Sequence, residues 1–130
     1  MKEFTVIRNA EEGIRKASGG GGRGSVETTY EDLHEKLGRP TKMGSPDNKT
    51  RVLWVLEYGD GIVTIYDYKC SLPIEKVRCW SLGGNLTEKQ TVARVCFALN
   101  APTRTTKQRA EDYAQFLKDN NLELRFHKVT

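Results

Sequence analysis

The chain has no apolar run long enough to cross a bilayer. Its longest hydrophobic stretches, such as Val52 to Leu56, are strand-sized, whereas a spanning helix needs about 20 apolar residues. The opening residues Met1-Lys2-Glu3-Phe4 also lack the apolar block of an export signal, so the expected location is the cytoplasm, away from membranes. Cysteine is scarce. Cys70, Cys79 and Cys96 are an odd number, which predicts free thiols in a reducing compartment in place of a disulfide framework. Histidine is scarcer still: His34 is followed by Glu35 but by no second histidine four residues on, and His127 stands far off in sequence. The helical zinc motif is therefore missing, and the spacing puts neither histidine beside a nucleophile. Cys70 and Cys79 lack the close pairing of a structural zinc site. These patterns predict no catalytic residue, no metal site and no cofactor, and the chain reads as a non-enzyme.

What is present fits one globular unit. The 130 residues are 37% hydrophobic and 29% charged, enough apolar material for one core and too much for wholesale disorder. Residues 1–130 are expected to form a single domain. Lys and Arg outnumber Asp and Glu by 21 to 17, a formal net charge of +4. This mild bias favours an anionic partner, with nucleic acid possible but not favoured.

The pattern of elements is mixed. Phe4 to Ile7 reads as a strand and Ala10 to Ser18 as a polar helix. The run Gly19-Gly20-Gly21-Gly22-Arg23-Gly24 reads as a flexible loop, because each glycine loses much backbone entropy when ordered. Ser25 to Thr28 returns as a strand. Thr29 then caps a helix with acids in its first turn, ending at Leu37-Gly38, and Arg39 to Lys49 is a turn-rich connection. Arg51 to Tyr58 and Ile62 to Tyr68, split by Gly59-Asp60-Gly61, form a hairpin with apolar residues on both faces, which places it at the centre of a sheet. A further strand, Lys76 to Leu82, stops at Gly83-Gly84. Two capping-box spacings, Thr87 with Gln90 and Thr105 with Gln108, open two helices. Their predicted stripes are Val92, Val95, Cys96 and Leu99, then Ala110, Tyr113, Ala114 and Leu117, with Asn120-Asn121 as a stop. Leu122 to His127 alternates like a strand. The predicted fold class is α+β: an antiparallel sheet built on a central hairpin, with two C-terminal helices packed on it. Trp54 and Phe97 are expected in the core.

Three features are candidate binding elements. The segment from Asn100 to Arg109 carries three cations and no acid at the start of a helix. Unpaired amides and the dipole at such a start attract phosphate; Arg104, Lys107 and Arg109 would strengthen that field. Asn100, Thr103, Thr105 and Thr106 would add hydrogen bonds. The plainer alternative is that Thr105 simply caps its helix while the cations face water. Aromatics come second. Tyr66, Tyr68 and Trp80 lie on strands, and Tyr68 and Trp80, near strand ends, are candidates to stack on a ligand. Third, Arg23 in the glycine run is either part of a mobile loop or a lid that closes over an anion.

The stretch from Thr28 to Asn85 resembles a family of small phage-encoded anti-defence proteins, nearest the anti-Thoeris sponges that hold cyclic ADP-ribose isomers. The matching features are TTYEDLHEKLGRPTK, the tryptophan in VLWVLEYGDG, IVTIYDYK, and the tryptophan before two glycines in CWSLGGN. The resemblance implies a protein that sequesters a cyclic nucleotide immune messenger, a cyclic ADP-ribose isomer or a cyclic oligonucleotide, without cleaving it. It also implies a homo-oligomer with pockets at subunit interfaces, acting in the cytoplasm of an infected bacterial cell. The competing expectation is an anti-CRISPR-type inhibitor that docks directly on a defence protein or its nucleic acid.

Overall fold

The chain is described by a computed structural model over residues 4–44, 50–68 and 71–119, apart from the side chain of Arg109. Among the described residues, seven strands form one antiparallel sheet: β1 (Phe4–Val6), β2 (Gly21–Glu27), β3 (Lys42–Met43), β4 (Thr50–Tyr58), β5 (Gly61–Tyr68), β6 (Cys79–Gly84) and β7 (Thr103–Arg104). Their order across the sheet is β1-β4-β5-β6-β2-β7, with β3 also pairing with β4. The predicted hairpin is thus the centre, with Leu56 opposite Val63 and Trp54 opposite Ile65. Four helices among the described residues complete the α+β fold: α1 (Ala10–Ala17), α2 (Tyr30–Leu37), α3 (Glu88–Leu99) and α4 (Thr106–Asp119). Among the described residues, no helix is long and apolar enough to cross a membrane.

Strand alternation assigns the two faces of the sheet. Val52, Trp54 and Leu56 of β4, Val63 and Ile65 of β5, Trp80 and Leu82 of β6 and Val26 of β2 all point one way and have no solvent exposure. Leu33 and Leu37 of α2 and Val95 and Leu99 of α3 cover them in one continuous core. Each fully buried side chain of this size contributes about 1.5 to 3 kcal/mol. An aromatic cluster lies at its centre, with Trp54 edge-on to Trp80 at 5.8 Å and Tyr30 stacked on Trp80 at 6.3 Å.

Cations from distant segments tie the helix ends to this face. The Arg8 guanidinium donates to the carbonyls of Leu37 and Arg39 at 3.0 and 2.7 Å, and the Lys36 ammonium donates to that of Leu99. Both satisfy carbonyls that a helix leaves unpaired at its C-terminus.

The opposite face is covered only in part. Helix α1 lies over Val55 and Ile62, which form a small second cluster with Ile7. The approach is close because residue 13 is glycine: a Cβ there would sit 2.5 Å from the Thr41 methyl. Thr41 is itself buried and stitches two segments together, donating to the Ile7 carbonyl at 2.6 Å and accepting from the Val55 amide at 2.9 Å.

The structure corrects several expectations. The glycine run is not a loop throughout: Gly21 to Gly24 belong to β2, with Gly21 opposite Gly84, Gly22 opposite Gly83, and a bulge at Arg23. Ladder pairing with Gly83 and Gly84 offsets the entropy that argued against regular structure, and the bulge takes up the extra residue. The strand expected at Lys76 to Leu82 begins at Cys79 and runs through Gly84, after a single 3-10 turn at Ile74–Lys76. Phe97 is not core; it is 61% exposed on the outer side of α3. In α4 the predicted stripe is buried only at Leu117, and Tyr113 is 54% exposed. The helix stop at Asn120-Asn121, the strand from Leu122 to His127, and Cys70 lie outside the described residues.

Candidate functional site

In the basic segment before α4 the helix start is capped from within and Arg104 is paired with acids. Thr105 and Gln108 make the capping box, with the Gln108 amide donating to the Thr105 hydroxyl at 3.1 Å and the Thr105 amide to the Gln108 side chain at 2.9 Å. Arg104 lies on β7, where its guanidinium pairs with Glu27 of β2 at 2.6 Å and Asp112 of α4 at 3.1 Å. Two carboxylates thus partner one of the three cations expected there. Neither acid falls within Asn100 to Arg109, so the local sequence hid them.

The other predicted ligands scatter. Asn100 is the left-handed cap of α3, with φ 52°. Thr103 pairs with Val26 in the ladder, while Thr106 and Lys107 face solvent and Arg109 belongs to α4. Trp80 has no exposure and cannot touch a ligand from outside. Arg23 is no lid: its Nε donates to the Leu86 carbonyl at 2.6 Å and its guanidinium to the Gly22 carbonyl at 3.0 Å, pinning the bulge to the turn before α3. Tyr68, 49% exposed, lies on β5, three strand spacings or about 14 Å from β7.

Tyr68 instead marks a different place. It meets Tyr66 edge to face at 6.2 Å, and Tyr66 lines a cleft of about 400 Å³ on the incompletely covered face. The cleft runs beside Ile14 and Ala17 of α1, over Leu53 of β4 and Thr64 and Tyr66 of β5, and onto the glycines of β2 and β6. That volume lies within the range of small-molecule sites, which combine apolar walls with a few polar groups.

The register explains its shape. One rung of the ladder carries Lys42, Leu53, Tyr66, Ser81, Ser25 and Arg104 in order across the sheet. The neighbouring rung carries Val55, Thr64, Gly83 and Gly22. Helix α1 fills the space above Val55, and beyond its last turn the rung ends in two residues with no side chain. The cleft extends over this glycine floor, and at Gly22 a side chain's place is open space.

Charge is asymmetric there. Lys42 lines the cleft at the β3 edge and makes no ion pair with any described residue. Lys16 on α1 is committed elsewhere: a hydrogen bond to the Glu57 carboxylate at 2.6 Å holds its ammonium above the usual lysine value. Among the described residues that line the cleft, Lys42 is therefore the cation available to an anion, and an aromatic ring and two threonines, Thr50 and Thr64, share the space. No group of three potential metal-binding side chains occurs among the described residues.

Sequence reasoning named Tyr66 as a strand aromatic and missed the rest of the lining. One signal was available, a run of glycines in each of two segments, Gly20 to Gly22 and Gly83-Gly84, which sequence distance kept apart. No family model, curated protein or solved structure matches the chain.

Proposed function

We propose that this chain binds a small anionic molecule with a planar ring and holds it unmodified, acting as a sponge for a cyclic nucleotide messenger. The observation that carries this reading is the cleft: a volume of about 400 Å³ with a tyrosine wall and one unengaged ammonium, Lys42. A ring gains roughly 1 to 3 kcal/mol by stacking on an aromatic side chain, and a hydrogen bond from a lysine to a phosphate adds roughly 1.5 to 3 kcal/mol. The resemblance of Thr28 to Asn85 to phage anti-defence sponges supports the messenger as the ligand, counter-defence as the role, and assembly into a homo-oligomer.

Titration calorimetry with cyclic ADP-ribose isomers and cyclic oligonucleotides tests the reading. Heating the complex and identifying the released ligand by mass should return it intact. Absence of binding to every messenger, or recovery of a cleaved product, removes the proposal.

A second reading, docking on a host protein, is favoured by the exposed aromatics Phe97, Tyr113 and Phe116. It predicts that charged substitutions at Phe97 and Tyr113 abolish anti-defence activity in infected cells while leaving messenger binding unchanged. Activity that persists in those variants removes it.

A further inference from the structure

With the cleft as the binding site, its floor also constrains the shape of the ligand, a constraint that rests on the function proposed for that site. The glycines on this floor are not equivalent. A Cβ on Gly83 would lie 2.8 Å from the Thr64 hydroxyl and 3.0 Å from the Gly21 carbonyl, so packing alone requires glycine there. A Cβ on Gly22 would meet nothing within 4 Å, and its φ lies outside the left-handed range. Neither packing nor backbone geometry demands glycine at position 22. Glycine inside a strand nevertheless costs about 0.5 to 1 kcal/mol relative to alanine. A local cost without a structural return marks a position where bare backbone is itself useful.

We infer that Gly22 is a specificity-determining residue: with Gly83 it forms a shelf on which a flat ring lies directly against the β2–β6 backbone, while the anionic group of the same ligand reaches toward Lys42. Strands β3 and β2 are four spacings apart, about 19 Å, and the lysine stem extends over part of that span. The ligand is therefore elongated, with a planar ring at one end and negative charge at the other. A side chain at position 22 fills the space the ring occupies.

The test uses the whole chain and two probes, adenosine 5′-monophosphate and the flat sulfonate 2-naphthalenesulfonate. Gly22→Val should fold with an unchanged or raised Tm, since valine favours strands, and should weaken both probes by at least about tenfold through steric exclusion. Gly22→Ala, with a smaller side chain, gives an intermediate loss and stands in should the valine variant fail to fold. Lys42→Gln should weaken both probes by about tenfold at low salt and by less at high salt, as a charge-assisted contact would.

Gly22 variants that fold and bind both probes as the unsubstituted protein does overturn the shelf. Binding of messengers that is insensitive to Gly22 overturns the shelf and leaves the sponge reading standing. Failure to bind any messenger, together with a Gly22-dependent loss of the two probes, overturns the sponge and leaves the shelf.

Discussion

Trp54 and Trp80 lie sealed on one face of the sheet beneath α2 and α3, and a few ångströms away, through the same strands, Tyr66 and Gly22 border open space. The first face uses almost every alternate residue for burial, and its helix ends are capped by Arg8 and Lys36. The second is covered where α1 reaches and bare beyond it. Since the backbone is shared, the difference lies in the side chains, and it separates positions that maintain the fold from positions free to bind. Substitution on the packed face should cost stability, and substitution on the open face should cost binding.

The sharpest way to break that comparison is Trp80→Ala against Tyr66→Ala. Removing the buried indole leaves a large cavity and should cost about 3 to 5 kcal/mol, whereas the tyrosine should cost about 1 kcal/mol and weaken ligand binding. Urea denaturation of both variants checks this, and equal losses would erase the distinction between the faces. Next in size is Thr41→Val, which keeps the shape but removes the hydroxyl bridging Ile7 and Val55. Its expected cost is about 1 to 3 kcal/mol, because the Val55 amide loses its acceptor. A smaller loss would mean that α1 covers its part of the open face without that stitch.

The smallest effect concerns Tyr58, on the packed face. Its hydroxyl is buried without a hydrogen-bond partner among the described residues. Burial, aided by Asp60 and opposed by Arg94, pushes its pKa up to about 12 from the ordinary 10.0. Because the folded value is the higher one, this contribution is intact below pH 10 and is lost as the pH rises through 12. Tyr58→Phe should leave stability at pH 7 unchanged or raised by up to about 1 kcal/mol, and its denaturation curves between pH 10 and 12 should decline less. Identical alkaline decline in both proteins would place the titrating group elsewhere.

The contrast between the faces also explains what the sequence made legible. The hairpin, both capping boxes and the Trp54 core position follow from local rules of periodicity and capping, which neighbours in sequence satisfy among themselves. The glycine strand did not follow from them, because Gly21 and Gly22 are held in place by Gly84 and Gly83 on a segment no local rule connects to them. Arg104 was misjudged in the same way, since Glu27 comes from a strand far back in the chain. Phe97 has a core composition, but the α3 surface it occupies faces away from the sheet, and helical periodicity alone cannot say which stripe is covered.

The strand order has a consequence for synthesis of the chain. β4, β5 and β6 pair with their sequence neighbours, whereas β1 must await β4 and β2 must await β6. Two of the earliest segments made must thus wait for strands made later, β2 longer than β1, and long-range pairing of this kind slows folding. A waiting strand exposes an unprotected hydrogen-bonding edge, the usual starting point of aggregation. In β2 that interval is spent by Gly21-Gly22-Arg23-Gly24, a stretch with little apolar surface and one charge, whose weak tendency to self-associate lets the nascent polypeptide remain open until its partner emerges.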